Sequence, residues 1–532
     1  MALWGSGACG CTSLPEYVHN GFKVGPNFKT PPAPVGQEWI DTAMMRPGRE
    51  ADDLSKWWTV FDDPVLNDLI CYAYKQNLTL REAAFRILQA RAQYKIACGE
   101  LFPQTQQAYG DYNRTVLSKE VANVLPGFGQ RSYSQFDFGM SMAWEIDFWG
   151  RLRRGIEYAS DNLDASVHDY EDVLVTLLSD VASNYINLRT TEKRIRYAEK
   201  NVELQREVFR QVDAREQVGG TTKVGVYQAE GLMWQTDAQI NLYEISLRQS
   251  NNQLCILLGI PPEELRKKIG YMPPVKNVTE KNTQQGIRIP QTPDPKDVAV
   301  GIPANLLARR PDVRRALSLA AAQSAQIGIA EAELYPTVSI LGTIGVSAEH
   351  FKDLFRPLAY DGTIGPTFRW NILNYGRLLN NVRFQDAKFQ ELVAAYQQSV
   401  LNGQLEVENG LVSFLQSREQ FKKQEKSVIA AEAAQKLVLE QFKAGTVNIA
   451  QLILFQQNLV LQQDTLAVAE GNIALGLVQV YKGLGGGWEL RRTGCDISTV
   501  SLPSSVDCAV ETRPVFLPPV EAELPAPRDL KR

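Results

Sequence analysis

The sequence predicts a mainly α-helical, internally duplicated chain that carries a smaller transmembrane β part. Three observations predict this. An apolar residue recurs every seven positions through long proline-free stretches, the pattern returns 226 residues later, and between helices the period falls from seven to two.

The first 50 residues form a lead-in. Ala8-Cys9 and Gly10-Cys11-Thr12-Ser13 place small residues before a cysteine, as a bacterial lipoprotein signal does, although a basic start and a hydrophobic stretch are missing. Cys11 has the better local form and is the expected site of lipid attachment, with Cys9 as the alternative. Residues 14–50 hold Pro15, Pro26, Pro31, Pro32, Pro34 and Pro47 without periodicity, which reads as an extended surface segment.

Residues 51–260 form the first repeat. Helical sequence begins at Trp57, with helices expected at about 62–76 and 79–101, the second ended by Phe102-Pro103. From Phe136 to Phe148 the chain alternates. Phe136, Phe138, Met140, Met142, Trp144, Ile146 and Phe148 take one face, while Asp137, Gly139, Ser141, Ala143, Glu145 and Asp147 take the other. One fully apolar face with aromatics near its ends is what a lipid-facing barrel strand requires. Its hairpin partner is expected at about 105–117, across a loop containing Pro126-Gly127-Phe128-Gly129.

The longest element follows. Residues 150–217 contain no proline in 68 positions, and Val167, Leu174, Val181, Leu188, Ile195, Val202 and Phe209 keep a strict heptad. Such a repeat packs in a left-handed coiled-coil seam, and at about 1.5 Å per residue the helix is ~100 Å long. The return helix carries Val226, Met233, Ile240, Leu247 and Leu254.

Residues 261–303 read as a Pro-rich linker, and 304–488 repeat the plan. A helix is expected at 312–334, then strands with Val338, Ile340, Gly342, Ile344 and Val346 on one face and Ile364, Pro366, Phe368, Trp370 and Ile372 on another. Heptads return at Val393, Val400, Val407, Phe414, Phe421 and Val428, slipping at Gln435, and then at Leu452, Leu459, Leu466, Ile473 and Val480. Residues 489–532 are a Pro-rich tail of loose structure.

Composition excludes several classes. Net charge is -4 and cations are spread along the helices, which argues against nucleic acid. No run reaches 18 consecutive apolar residues, so a membrane span must be made of strands. Three histidines lie far apart and the seven cysteines form no CxxC pair, so neither a metal centre nor a catalytic cluster is expected, and no cofactor. Cys71, Cys98 and Cys255 lie in helical sequence as small buried hydrophobes. Cys495 and Cys508 flank a tail loop and could pair in an oxidising compartment.

Four strands cannot close a barrel, and an open edge in lipid leaves backbone groups without partners. Several chains must therefore share one barrel, whose wall the long helices continue. At this point Val24-Gly25-Pro26-Asn27-Phe28 with Pro31, the Trp57-Trp58 to Asp63-Pro64-Leu66 region, Trp144 to Arg151 and Tyr335-Pro336 matter together. In them the chain, over about residues 24–488, resembles the TolC-like outer-membrane efflux proteins, in particular their lipoprotein branch.

That resemblance implies a homotrimer: a twelve-stranded β-barrel in the outer membrane, continuous with a long α-helical barrel in the periplasm. It implies a non-enzymatic exit duct for a tripartite pump, meeting a periplasmic adaptor (membrane fusion) protein and an inner-membrane pump, often of the resistance-nodulation-division class. The turns with Gly219, Gly220, Thr221 and Thr222, and with Gly445, Thr446 and Asn448, are the expected adaptor contacts. Glycine there also allows a tight turn, and Thr or Asn caps the next helix.

Relatives commonly narrow the tunnel with Asp residues just past these turns. Here the matching places hold Gly225 and Leu454, with Ala450 one turn earlier, and no charge occurs between Lys443 and Asp464. The expected constriction is apolar or amide, around Ala450, Gln451 and Leu454. Asp137, Ser141 and Glu145 are expected to face the barrel lumen. The competing reading is a lipid-anchored periplasmic coiled-coil scaffold without a pore, whose aromatic strand faces would need covering.

Overall fold

The computed structural model describes residues 12–36, 39–40, 54–118, 132–265, 289–294 and 309–495. Cys9, Cys11, Cys508, the loop at 126–129, most of the 261–303 linker and the tail beyond Cys495 lie outside the described residues. The chain divides into two compact units, one of Met1–Ala33, Ala84–His168 and Arg314–Ser399, the other of Pro34–Ala83, Asp169–Val313 and Val400–Arg532. Each unit draws on both copies.

The first unit holds one antiparallel sheet of four strands, β1 (Thr105–Val116), β2 (Ser132–Ile146), β3 (Thr337–Ala348) and β4 (Tyr360–Arg369), in that spatial order. β4 ends at Arg369, so Trp370 and Ile372 fall beyond the strand in which the alternation placed them. Trp370 is held there by its indole N–H, which donates to the Leu334 carbonyl at 3.0 Å. Trp144, 226 positions earlier, donates in the same way to Leu101.

Residues 14–50 are not uniformly extended. Helix α1 (Leu14–His19) forms because the Ser13 hydroxyl accepts from the Glu16 amide and Pro15 suits the first turn. It buries Tyr17 beside Val24 and Ala332, with Trp149 and Tyr335 packed against them. The chain after Val24 does run extended, and the Gln397 amide donates to the Pro32 carbonyl at 3.0 Å.

In the second unit α2 (Pro64–Gln76) starts on Asp63, whose carboxylate accepts from the Val65 and Leu66 amides. The next helix is α3 (Leu78–Gly99). The two longest elements are α4 (Arg151–Gln217) and its counterpart (Arg377–Lys443), each of 67 residues. Their return helices, α5 (Lys223–Leu257) and Ile449–Gly483, have 35 residues each. Numbered in order with Pro311–Ala332 as α6, the second pair are α7 and α8. Both pairs start 226 residues apart, so the duplication extends to element length. The heptad residues Leu174, Val181, Leu188, Val400, Val407, Phe414, Leu452 and Leu459 are all buried, as a coiled-coil seam demands. Gln435, where the repeat slips, is buried too.

The expected pairing of Cys495 with Cys508 is not the one observed. Cys495 is bonded to Cys71 on α2, with Cα atoms 5.6 Å apart, so Cys71 is a cross-link and not merely a small hydrophobe. The pairing arises because the first residues of the tail are folded. Helix α9 (Leu490–Thr493) buries Leu490, and Arg491 meets the buried Glu171 carboxylate at 3.0 Å. Cys255 is buried and Cys98 half-buried.

Candidate functional site

Directly opposed residues in an antiparallel sheet project to the same face, so the register sorts the strands into two surfaces. One carries the rows Ala108, Met140, Ile344 and Gly362, then Trp144, Ile340 and Pro366, then Ile146, Val338 and Phe368. The other carries Asp111, Asp137 and Ser347, then Gln107, Ser141, Thr343 and Thr363, then Glu145, Ser339 and Thr367. The three expected lumen residues thus share one polar face.

Much of the apolar face stands exposed among the described residues. Met140 is 65 % exposed and Ile364 78 %, whereas a soluble sheet buries such side chains. Ten steps from Phe136 to Ile146 at about 3.3 Å each run ~33 Å along the strand, which at a tilt of about 40° rises ~25 Å, the height of the apolar band on a membrane-spanning barrel. β1 and β4 each have a single partner strand among the described residues. No described helix is long and apolar enough to cross a membrane, and no metal-holding cluster occurs among the described residues.

Where strands give way to helices, charge is locally paired. Glu145 takes a two-pronged ion pair from Arg151 at 2.8–2.9 Å, and Asp147 caps α4 by accepting from the Leu152 and Arg153 amides. Arg154, buried, donates to the Val24 and Gly25 carbonyls at 3.1 and 2.8 Å and to Glu157 at 2.7 Å; Lys23 also pairs with Glu157. Burial pushes the Glu157 carboxyl up, but the two cations outweigh it and hold the group below the usual Glu range.

At the other end of the long helices the two hairpin turns are built alike. Gly219 and Gly445 adopt φ of +74° and +78°, the left-handed region open to glycine. Gly220 and Thr446 donate back to the Arg215 and Gln441 carbonyls, closing each helix end. Asn448 caps α8 by accepting from the Gln451 amide at 3.0 Å, whereas Thr222 makes no side-chain cap. Thr222 therefore lacks the capping role expected of it.

The tips are joined. Val208, Val212 and Ala229 of the first hairpin form one cluster with Val438, Phe442, Ile449 and Leu452 of the second. Arg215 crosses between them, donating to the Phe442 and Lys443 carbonyls at 2.8 Å each and lying 4.6 Å from the Phe442 ring centroid. It supplies positive charge to the last carbonyls of α7. Nothing in the sequence singled Arg215 out; its only signal was a cation in the final helical turn.

Gly225 is buried, and a Cβ there would lie 2.8 Å from Ile449 Cγ2. Glycine at this place lets α5 and α8 approach. On α8 Leu452 points inward while Ala450, Gln451 and Leu454 point out, Leu454 being 63 % exposed. Within one chain Leu454 therefore does not pack in the helical seam.

Comparison with known proteins matches these features. The Outer membrane efflux protein family is matched over residues 69–260 and 302–486, well over half of the chain. The pyoverdine export outer membrane protein OpmQ of Pseudomonas putida is 30% identical over 438 residues, covering 82% of this chain and 88% of that protein. The toluene efflux pump outer membrane protein TtgF of Pseudomonas putida is 26% identical over 479 residues, covering 88% and 95%. Among solved structures, the outer-membrane channel OprN superposes with a TM-score of 0.79 at 26% identity, covering 88% of this chain and 99% of that one. The chain belongs to the outer membrane efflux protein family: it is an outer-membrane efflux component and not an enzyme.

Proposed function

We propose that three copies of the chain close one twelve-stranded barrel and one helical tunnel, making a passive exit duct for a tripartite pump. The observation that carries this is the two-faced sheet: two edge strands, each with a single partner among the described residues, and an exposed apolar face fit lipid only when neighbouring copies pair the edges. Asp137, Ser141 and Glu145 then line the lumen. Lipid on Cys11 anchors the lead-in.

The helical tips around Gly219, Gly220, Thr221, Thr222, Gly445, Thr446 and Asn448 meet a periplasmic adaptor, which links the duct to an inner-membrane pump. Ala450, Gln451 and Leu454 form the constriction, since they are turned away from the packed seam. Relatives named for pyoverdine and for toluene are both matched across most of the chain, which favours cargo selection by the inner pump.

The test is single-channel conductance of the detergent-purified protein in planar bilayers, with its mass measured in the same preparation. A trimer with small, mostly closed conductance that rises in Leu454→Ala is expected. Unchanged conductance and opening rate in that variant removes Leu454 from the constriction. A water-soluble protein that never inserts overturns the duct and leaves the lipid-anchored scaffold.

A further inference from the structure

The segment joining β3 to β4 is short and internally bonded, yet it displays large apolar side chains to solvent. Two single 3-10 turns, Phe351–Asp353 and Pro357–Ala359, are closed by hydrogen bonds from the Asp353 N–H to the His350 carbonyl and from the Ala359 N–H to the Arg356 carbonyl at 3.0 and 2.9 Å. Leu354 and Ala359 are buried beneath. On this base Phe355 stands 82 % exposed and Leu358 98 %.

Ring contacts fix the side on which the segment lies. Phe351 sits 5.8 Å from Phe136 and 6.4 Å from Phe138, both on the apolar face, and Phe355 lies 6.3 Å from Phe351. Tyr112 extends the cluster, 4.6 Å from Phe136. Three exposed cations accompany it: Lys352, Arg356, and Arg114, which shares Tyr112's face two residues further along β1. Of the nearby acids, Asp353 is engaged with Arg356 at 3.1 Å and Glu349 stands exposed.

This end of the sheet lies opposite the helices, and in an outer-membrane protein whose ~100 Å helices need the periplasm it meets the outer leaflet. An apolar platform continuous with the lipid face, edged by cations, matches a lipid whose head group carries phosphate: acyl chains against Phe351, Phe355 and Leu358, phosphate oxygens against the cations. We propose that Arg114, Lys352 and Arg356, with Phe355 and Leu358, form a docking site for a phosphorylated glycolipid of the outer leaflet. The proposal rests on the barrel reading of the sheet.

Native mass spectrometry of the detergent-purified full chain, titrated with bisphosphorylated lipid A, tests it. Wild type is expected to retain lipid A at least tenfold better than the triple variant R114Q/K352Q/R356Q, and better than it retains dephosphorylated lipid A. Phosphatidylethanolamine should bind wild type and variant alike. Equal retention of lipid A by wild type and variant, or indifference to the phosphates, overturns the site. Conductance of the same preparation separates the outcomes: pores without lipid preference sink this inference alone, whereas absent pores sink the barrel.

Discussion

Glu157 shows how a single side chain ties the lead-in to the long helix. Its folded pKa lies below the ordinary value of 4.5, because Lys23 and Arg154 outweigh the burial that pushes it up. The stability it contributes is therefore fully present above that ordinary value and is lost as pH falls through the depressed one. Glu157→Gln should lower the thermal midpoint at pH 7, and the gap to wild type should close as pH falls below the ordinary value and through the depressed one. A gap that stays constant across that range would assign the loss to packing. The i,i+3 spacing of Arg154 and Glu157 is a helical pair, but the Lys23 contact was not legible beforehand, because Lys23 and Glu157 are 134 residues apart in sequence and only the fold brings them together.

Among elements, the helices were legible and the cross-links were not. A heptad is a local property, so Leu174, Val181 and Leu188 announced their burial through spacing alone. β2 was legible for the same reason. The partner that β2 needs is expected at about 105–117 and β1 runs Thr105–Val116, but its faces were not legible, since most of its residues are exposed and only pairing with β2 defines them. Cysteine pairing depends on the whole chain: Cys71 and Cys495 are 424 residues apart, and the tail's start had to fold as α9 before they could meet. Closing so long a loop restrains the unfolded chain, an effect of about 2–5 kcal/mol. Cys71→Ser should lower the thermal midpoint, and reductant should lower that of wild type to the same value but leave the variant unmoved. Reductant sensitivity persisting in the variant would show that another thiol pair carries the effect.

For the molecule as a whole, the candidate site was legible as a set of places and not as a set of contacts. The sequence located both hairpin turns and the apolar strand face, but the joining of the turns through Arg215 has no counterpart in any motif. Its two bonds to helix-end carbonyls involve a charged donor, a class worth about 1.5–3 kcal/mol each. Arg215→Ala should speed amide hydrogen exchange over residues 438–448 by tenfold or more while leaving exchange in the sheet unchanged. Equal exchange at the tips would mean that the Val208 to Leu452 cluster alone holds them.

The matched lengths of the two hairpins have a consequence for stoichiometry. In the proposed trimer, six turns of nearly the same construction would face the periplasm, so a partner reading only their shared backbone form would meet sixfold symmetry. A partner that reads side chains meets threefold symmetry instead. The position equivalent to Arg215 in the second copy is Gln441, which carries no charge. Under that proposal, whether three or six adaptor copies bind depends on how close to residues 215 and 441 their contact lies.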